Sequence, residues 1–141
     1  MPAVDAPVDD ADDVYRLVKV DDCNAVDGRW EFQSNAFDNA TPFHDGERND
    51  EMSVVLGDTL SALDRAPENL PAESPFPGDP ERWGVARLNA GFLRSQMQEI
   101  LRTPTEDEPA HGDVRGSKNS GCRKRLKKHA RWVVEPQIVP E

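Results

Sequence analysis

Eight Lys and Arg residues fall between Arg115 and Arg131, and no Asp or Glu stands among them. The net charge of −10 for the whole chain therefore divides into +8 in this stretch and −18 elsewhere. Positive charge concentrated on one element attracts phosphates or carboxylates, in a way that salt weakens. The run Gly116-Ser117-Lys118-Asn119-Ser120-Gly121 leads into it. Backbone amides at a helix N-terminus, with the helix dipole and Lys118 beside them, can hold a phosphate. The GxxxxGK[ST] order of a Walker A loop is absent. The candidate anion-binding residues are Lys118, Ser120, Arg123, Lys124, Lys127, Lys128 and Arg131.

Other residue types capable of chemistry are sparse. His44 lies beside Asp45, Glu47, Asp50 and Glu51, and His111 follows Pro109-Ala110. A metal site assembled from His44, Asp45 and His111 lacks HExxH or any other recognised ligand spacing, so no metal or cofactor is implied. A hydrogen-bonded structural role is the expectation for His111, and a core or boundary role for His129. Ser34, Ser53 and Cys23 are available as nucleophiles, but none stands in a nucleophile-elbow context.

Two resemblances cover parts of the chain. Tyr15-Arg16, Gly28-Arg29-Trp30, Ser34 and Phe37 together resemble the start of ADP-ribosyltransferase-like toxins of the RES type. In that family an early Arg and a GRW segment help to hold NAD. The resemblance implies an enzyme acting on a nucleotide-like substrate near Arg16, Arg29, Ser34 and His111. A broader series resembles a recurrent group of small uncharacterised prokaryotic proteins. It comprises Tyr15-Arg16, Ser34-x-Ala36-Phe37, Met52-Ser53-Val54, Gly84-Val85-Ala86, Pro109-Ala110-His111, Gly116 and the closing basic stretch. It implies a single domain over residues 14–134 and carries no activity with it.

The elements that must position these residues follow from patterning. At 141 residues the chain has the size of one domain. Its hydrophobic fraction is only 36%, yet it holds three Trp and five Phe, which indicates a compact centre with solvated flanks. The two cysteines, Cys23 and Cys122, form no CxxC pair and read as free thiols in a reducing compartment. The acidic N-terminus has neither a basic n-region nor an apolar run, and no window approaches 18 apolar residues. A cytoplasmic protein without a membrane segment is expected.

In chain order, residues 1–13 carry five Asp and read as a disordered acidic tail. Val14–Val20 alternates as a strand, with Val14, Arg16, Val18 and Val20 on one face. Residues 21–28 read as a loop with a turn at Asp27-Gly28, Arg29–Gln33 as a strand or extended segment, and Ser34–Phe37 as a turn. Residues 38–51 are loop by composition. Met52–Leu56 reads as a buried strand, and Asp58 as the cap of a short helix. Five prolines between Pro67 and Pro80 predict a loop without regular structure. Trp83–Leu88 reads as a strand, Gly91–Gln98 as a helix opened by Asn89 and Ala90, and Glu99–Thr103 as a strand.

From Cys122 a step of 100° per residue gathers Cys122, Leu126, His129 and Val133 on one arc. Arg123, Lys124, Lys127, Lys128 and Arg131 fall opposite, and Ser120 reads as the N-cap. Three readings of the basic face follow. Its charge is balanced by the protein's own acidic loops, or it binds nucleic acid or another polyanion, or it docks on an acidic protein surface. The combined expectation is an α+β domain over 14–134, a small mixed sheet with a C-terminal basic amphipathic helix packed on it. A tail follows at 135–141. The leading functional expectation is a non-enzymatic accessory or regulatory protein that binds nucleic acid or an acidic protein through that helix. The alternative is the nucleotide-directed enzyme.

Overall fold

The computed structural model describes residues 2–39, 51–73 and 79–140, with the backbone alone at 43–44 and 47–48. Its strands are β1 (Asp13–Lys19), β2 (Cys23–Val26), β3 (Arg29–Phe32), β4 (Phe43–His44), β5 (Glu47–Arg48) and β6 (Glu51–Leu56). After β6 come the helices α1 (Gly57–Ala62) and α2 (Leu70–Glu73), then β7 (Trp83–Asn89) and α3 (Ala90–Ser95). The chain closes with β8 (Glu99–Arg102), β9 (His111–Arg115), α4 (Ser120–His129) and β10 (Arg131–Val134).

Six strands form one sheet in the order β10-β7-β1-β6-β9-β8, and every neighbouring pair is antiparallel. The fold is α+β, and its main sheet is antiparallel rather than mixed. β1 is central because its alternation supplies both faces. Val14 and Val18 join the larger apolar cluster, and Tyr15 and Leu17 the smaller one. β6 and β7 flank β1 and are therefore parallel to each other, a relation that no tight turn can make. The link between them, carrying α1 and α2, lays Leu60 and Leu70 on the smaller cluster with Tyr15, Leu17, Val55 and Val85.

The opposite face is closed more heavily. Leu93 of α3, Cys122 and Leu126 of α4, and Phe32 and Phe37 from the β2–β3 region all pack there against Val14, Met52, Leu56 and Leu88. Phe32 meets Phe37 edge-on at 5.1 Å and Trp132 at 4.2 Å. Burying a large apolar side chain of this kind stabilises by about 1.5–3 kcal/mol, so this layer carries most of the fold.

The structure corrects several sequence expectations. The C-terminal helix stops at His129, and Arg131–Val134 is an edge strand paired with β7. Val133 therefore packs with Leu60 and Val85 on the far side of the sheet from Leu126. Its spacing from His129 matches a helical step by coincidence, while the run Trp132-Val133-Val134 has strand chemistry. The N-cap of α4 is Asn119, which accepts from the Cys122 amide at 2.8 Å, and Ser120 is the first helical residue. Asp58 lies inside α1 and does not cap it; its carboxylate takes two hydrogen bonds from Arg102, at 2.9 and 2.5 Å.

Cys23–Val26 is a strand, paired with Arg29–Phe32 through a turn with Asp27 at φ 51° and Gly28 at φ 76°. Two consecutive left-handed residues make the type I′ turn that matches strand twist, which suits the Asp-Gly pair. In the Pro-rich stretch, Pro67–Asn69 and Pro80–Arg82 form 3-10 turns and Leu70–Glu73 forms α2. Proline is tolerated in the first turn of a helix, where no amide is needed. Part of that stretch, 74–78, lies outside the described residues.

Both chain ends, expected as tails, lie against the domain. Val8 is 2% exposed, and Arg94 and Arg102 donate to the Val8 and Ala6 carbonyls. At the other end the Ile138 amide donates to the Glu81 carbonyl, and the Trp30 indole donates to the Ile138 carbonyl at 2.8 Å.

Candidate functional site

β9 ends at Arg115, and the chain then turns through Gly116 to Asn119 before α4 begins. Gly116 is required by close approach, because a Cβ there would lie 2.7 Å from the Oε1 of the buried Gln98. Gln98 is held from the other end, its Nε2 donating to the Ser117 carbonyl. The turn is thus pinned to the sheet rather than open to a ligand. Lys118 shows the consequence. It is 5% exposed, and its ammonium donates to the Val114 and Gly116 carbonyls at 3.0 Å and to the Asn39 side chain. Lys118 does not present its charge at the surface.

The other basic residues divide sharply by partner. Arg115 pairs with Glu51, and Arg123 with Asp38 at 2.8 Å. Arg125 donates to the Gln96 side chain. The Arg131 guanidinium folds back on α4, donating to the carbonyls of Lys128, His129 and Ala130 at 2.8–3.2 Å. Those carbonyls are the orphan acceptors of a helix end, so Arg131 works as a C-terminal cap. Lys124, Lys127 and Lys128 are exposed, and among the described residues none of them has an ion pair.

Beside Lys127 runs a groove of about 430 Å³ between the β2–β3 hairpin and the α4–β10 junction. Its walls include Arg29, Trp30, Lys127, Arg131 and Trp132. The two indoles are fixed in place, since the Trp132 N–H donates to the Trp30 carbonyl and the Trp30 N–H to that of Ile138. Asp27 and Glu31 stand in the same wall, and Arg29 is held by Glu135 at 2.5 Å. Aromatic side chains beside a lysine are a combination used for stacking bases and tracking a phosphate backbone.

Of the four residues of the enzyme alternative, Arg16 and His111 border one concavity, and Arg29 and Ser34 lie elsewhere. The Arg16 guanidinium lies under the heavily covered face, donating to the Ala36 and Ser53 carbonyls at 3.2 and 2.7 Å. Loss of water there pulls its pKa below the usual arginine value. Arg29 lies in the hairpin groove, Ser34 opens the short turn before Phe37, and His111 stands on the opposite face of the sheet. The turn at 116–121 meets none of these four in any hydrogen bond or pocket of the described residues.

His129 is a satisfied boundary residue. Its Nε2 accepts from the Asn89 amide at 3.1 Å and its ring stacks on Phe92 at 3.9 Å. Burial, then the neighbouring Arg131, lowers its pKa, so the ring is neutral. Cys23 is buried, and loss of water with the Asp22 charge pushes its thiol up to about 12. That removes it as a nucleophile at neutral pH. Asp45 and the side chain of His44 lie outside the described residues. No group of three metal-ligating side chains occurs among those described, and no helix there is long and apolar enough to cross a membrane.

A second concavity, of about 300 Å³, lies over β1, β6 and β9 on the lightly covered face. Tyr15, Ser53, Val55, Glu108 and His111 line it. Strand alternation carries Ser53, His111 and Asp113 to this one side, Ser53 opposite Asp113 and Val55 opposite His111 in the β6–β9 register. The spacing His111-x-Asp113 on an alternating strand was the available sequence signal for this cluster. Thr103, which completes it, had none.

Comparison with protein-family models, with curated proteins and with solved structures finds no match for this chain.

Proposed function

We infer that the chain is a non-enzymatic accessory or regulatory protein of the cytoplasm that binds an anionic partner on the exposed side of α4. Nucleic acid, and single-stranded nucleic acid in particular, is the partner that suits the surface best. The observation that carries this reading is the trio Lys124, Lys127 and Lys128. They are exposed and have no carboxylate partner among the described residues, although the chain as a whole has an excess of ten negative charges. Like charges at i and i+4, as in Lys124 with Lys128, cost about 0.2–0.5 kcal/mol in an isolated helix, a cost that a bound polyanion would offset. The Trp30–Trp132 groove beside Lys127 adds ring faces for unpaired bases.

The negative chain also narrows the mode of binding. Long-range repulsion slows the approach of any nucleic acid, so contact must be local, salt-sensitive and confined to this one face. The enzyme alternative has weaker support, since Arg16 and His111 border one cavity but the Arg16 guanidinium is tied to backbone carbonyls and Arg29 and Ser34 lie elsewhere.

Fluorescence anisotropy of labelled single-stranded and duplex oligonucleotides across a salt series tests the proposal. The wild type is expected to bind single strands more tightly, with log K falling linearly in log salt. Each phosphate contact on a single strand contributes a slope of about 0.7, so the triple change Lys124→Gln, Lys127→Gln, Lys128→Gln should flatten it by roughly 2. No binding at low ionic strength, or an unchanged slope in the triple variant, would remove the reading. Binding of a polyglutamate chain in place of oligonucleotides would transfer it to acidic proteins.

A further inference from the structure

The concavity over β1, β6 and β9 is built around a histidine whose two ring nitrogens are not equivalent. The His111 Nδ1 lies 3.0 Å from the Thr103 carbonyl oxygen and 2.9 Å from the Thr103 hydroxyl. That hydroxyl donates its own proton to the Asp113 carboxylate at 2.9 Å. A carbonyl oxygen only accepts, and the Thr103 hydroxyl has its single hydrogen committed to Asp113. Nδ1 must therefore be the donor to both. In the neutral ring the proton sits on Nδ1, and Nε2 is left with a lone pair. No described residue hydrogen-bonds Nε2.

The chain Asp113 carboxylate, Thr103 hydroxyl, His111 Nδ1–H is a fixed relay. A carboxylate behind a histidine sets its tautomer and strengthens the far nitrogen as an acceptor. Here the hydroxyl of Thr103 is interposed. Asp113 is buried, and the Thr103 amide donates to the His111 carbonyl, so the pair is clamped through backbone as well as side chains.

The rest of the lining says what that acceptor reads. Tyr15, Leu17 and Val55 supply an apolar floor, and Ser53 and Thr105 are the hydroxyl-bearing neighbours. Asp107 and Glu108 stand at the rim. Arg65 neutralises Glu108 through two hydrogen bonds at 2.6 and 2.7 Å, while Asp107 is exposed and has no ion pair among the described residues. Arg16 also borders the cavity, but its guanidinium is committed to the Ala36 and Ser53 carbonyls. An apolar floor, a histidine nitrogen without a hydrogen-bond partner among the described residues and an unpaired carboxylate fit a ligand with a hydrocarbon body and a cationic, hydrogen-donating head.

We propose that this pocket binds a small amphipathic amine. Its ammonium donates to the His111 Nε2, its apolar part rests on Tyr15, Leu17 and Val55, and Thr103 and Asp113 act as positioning residues for the ring. The site is independent of the exposed face of α4, which lies on the other side of the sheet.

The test is nuclear magnetic resonance on the full chain, using long-range proton–nitrogen correlations of the histidine rings. Benzylamine is the probe, with benzyl alcohol and benzoate as controls. The free protein is expected to show His111 with a protonated Nδ1 and an unprotonated Nε2. Benzylamine should shift those signals saturably at millimolar concentration, benzyl alcohol less, and benzoate not at all. Thr103→Val cuts the link to Asp113 but keeps the Thr103 carbonyl that holds the Nδ1 proton, so the tautomer should persist while the His111 ring nitrogen signals shift and benzylamine weakens several-fold. Asp107→Asn, an exposed change that leaves the fold alone, should weaken benzylamine and leave benzyl alcohol unchanged. A proton found on Nε2, equal binding of benzoate, or no saturable shift with any probe would overturn the proposal. The triple lysine variant of α4 should titrate with benzylamine as the wild type does, which separates this outcome from that of the oligonucleotide experiment.

Discussion

The two faces of the sheet hold polar groups in opposite ways. On the face covered by α3 and α4, Arg16 and Lys118 are buried cations, and the partners seen for them are carbonyl oxygens and the Asn39 side chain. They tie segments together and present nothing outward. On the face under α1 and α2, His111, Thr103 and Asp113 satisfy one another and leave one ring nitrogen free beside a cavity. Buried polarity thus serves as a fastening on the first face and leaves a ring nitrogen without a partner on the second. The difference follows from cover. Two crossover helices and the β2–β3 hairpin close the first side, whereas among the described residues Leu60 and Leu70 reach down from the helices over the second.

The sharpest way to break this contrast is to remove one leucine from each side. Leu126→Ala opens a fully enclosed hole and should cost about 2–5 kcal/mol. Leu17→Ala, at a part-exposed position, should cost about 1 kcal/mol. Urea denaturation measures both, and equal losses would mean that the two faces are equally load-carrying.

The next comparison uses one residue type in two settings. Lys118→Met leaves the carbonyls of Val114 and Gly116 without their donor and should destabilise by about 1–3 kcal/mol. Lys127→Met changes an exposed side chain and should fall within about 0.5 kcal/mol of wild type. If both proved neutral, the fastening role of Lys118 would be lost.

Acid should act through the carboxylates on arginines. Hydrogen bonds from Arg102 hold the Asp58 carboxyl below its usual range, and those from Arg65 do the same for Glu108. A carboxyl depressed on folding adds stability that is complete above its unfolded value, about 3.9 for Asp and 4.3 for Glu. That stability is lost as pH falls through the lower, folded value. Thermal melts should therefore be flat with respect to these two groups from pH 7 to about 5 and fall below about 4. Asp58→Asn and Glu108→Gln should each lower the neutral melting point and shrink the acid-dependent drop. A drop of unchanged size in both variants would assign it to other groups. The smallest effect concerns Cys23, whose buried thiol at about 12 should stay unmodified by iodoacetamide at pH 8 until the chain unfolds.

Much of the strand order in sequence was readable because alternation survives in single segments. Val14–Val20, Met52–Leu56, Trp83–Leu88 and Glu99–Thr103 each lie within one or two residues of β1, β6, β7 and β8. The basic helix was readable too, although its end was not, since His129 and Val133 share a helical arc while β10 claims the valine. The candidate sites were legible in uneven measure. Charge counting found Lys124, Lys127 and Lys128, and it included Lys118 with them because a charge count carries no information about burial. The pocket was represented by His111 and Ser53 as separate residues. Their company with Thr103 and Asp113 depends on the β8–β9 turn and the β6–β9 register, which are contacts between distant segments.

Taken alone, the amino-acid sequence determines an α+β fold with an uninterrupted basic stretch late in the chain. Local periodicity and composition suffice for that, because they are properties of neighbouring residues. Tertiary structure decides which of those charges point inward and which histidine nitrogen is left free. Both depend on which carbonyls and hydroxyls come within about 3 Å of a side chain, and those groups arrive from strands far apart in the chain.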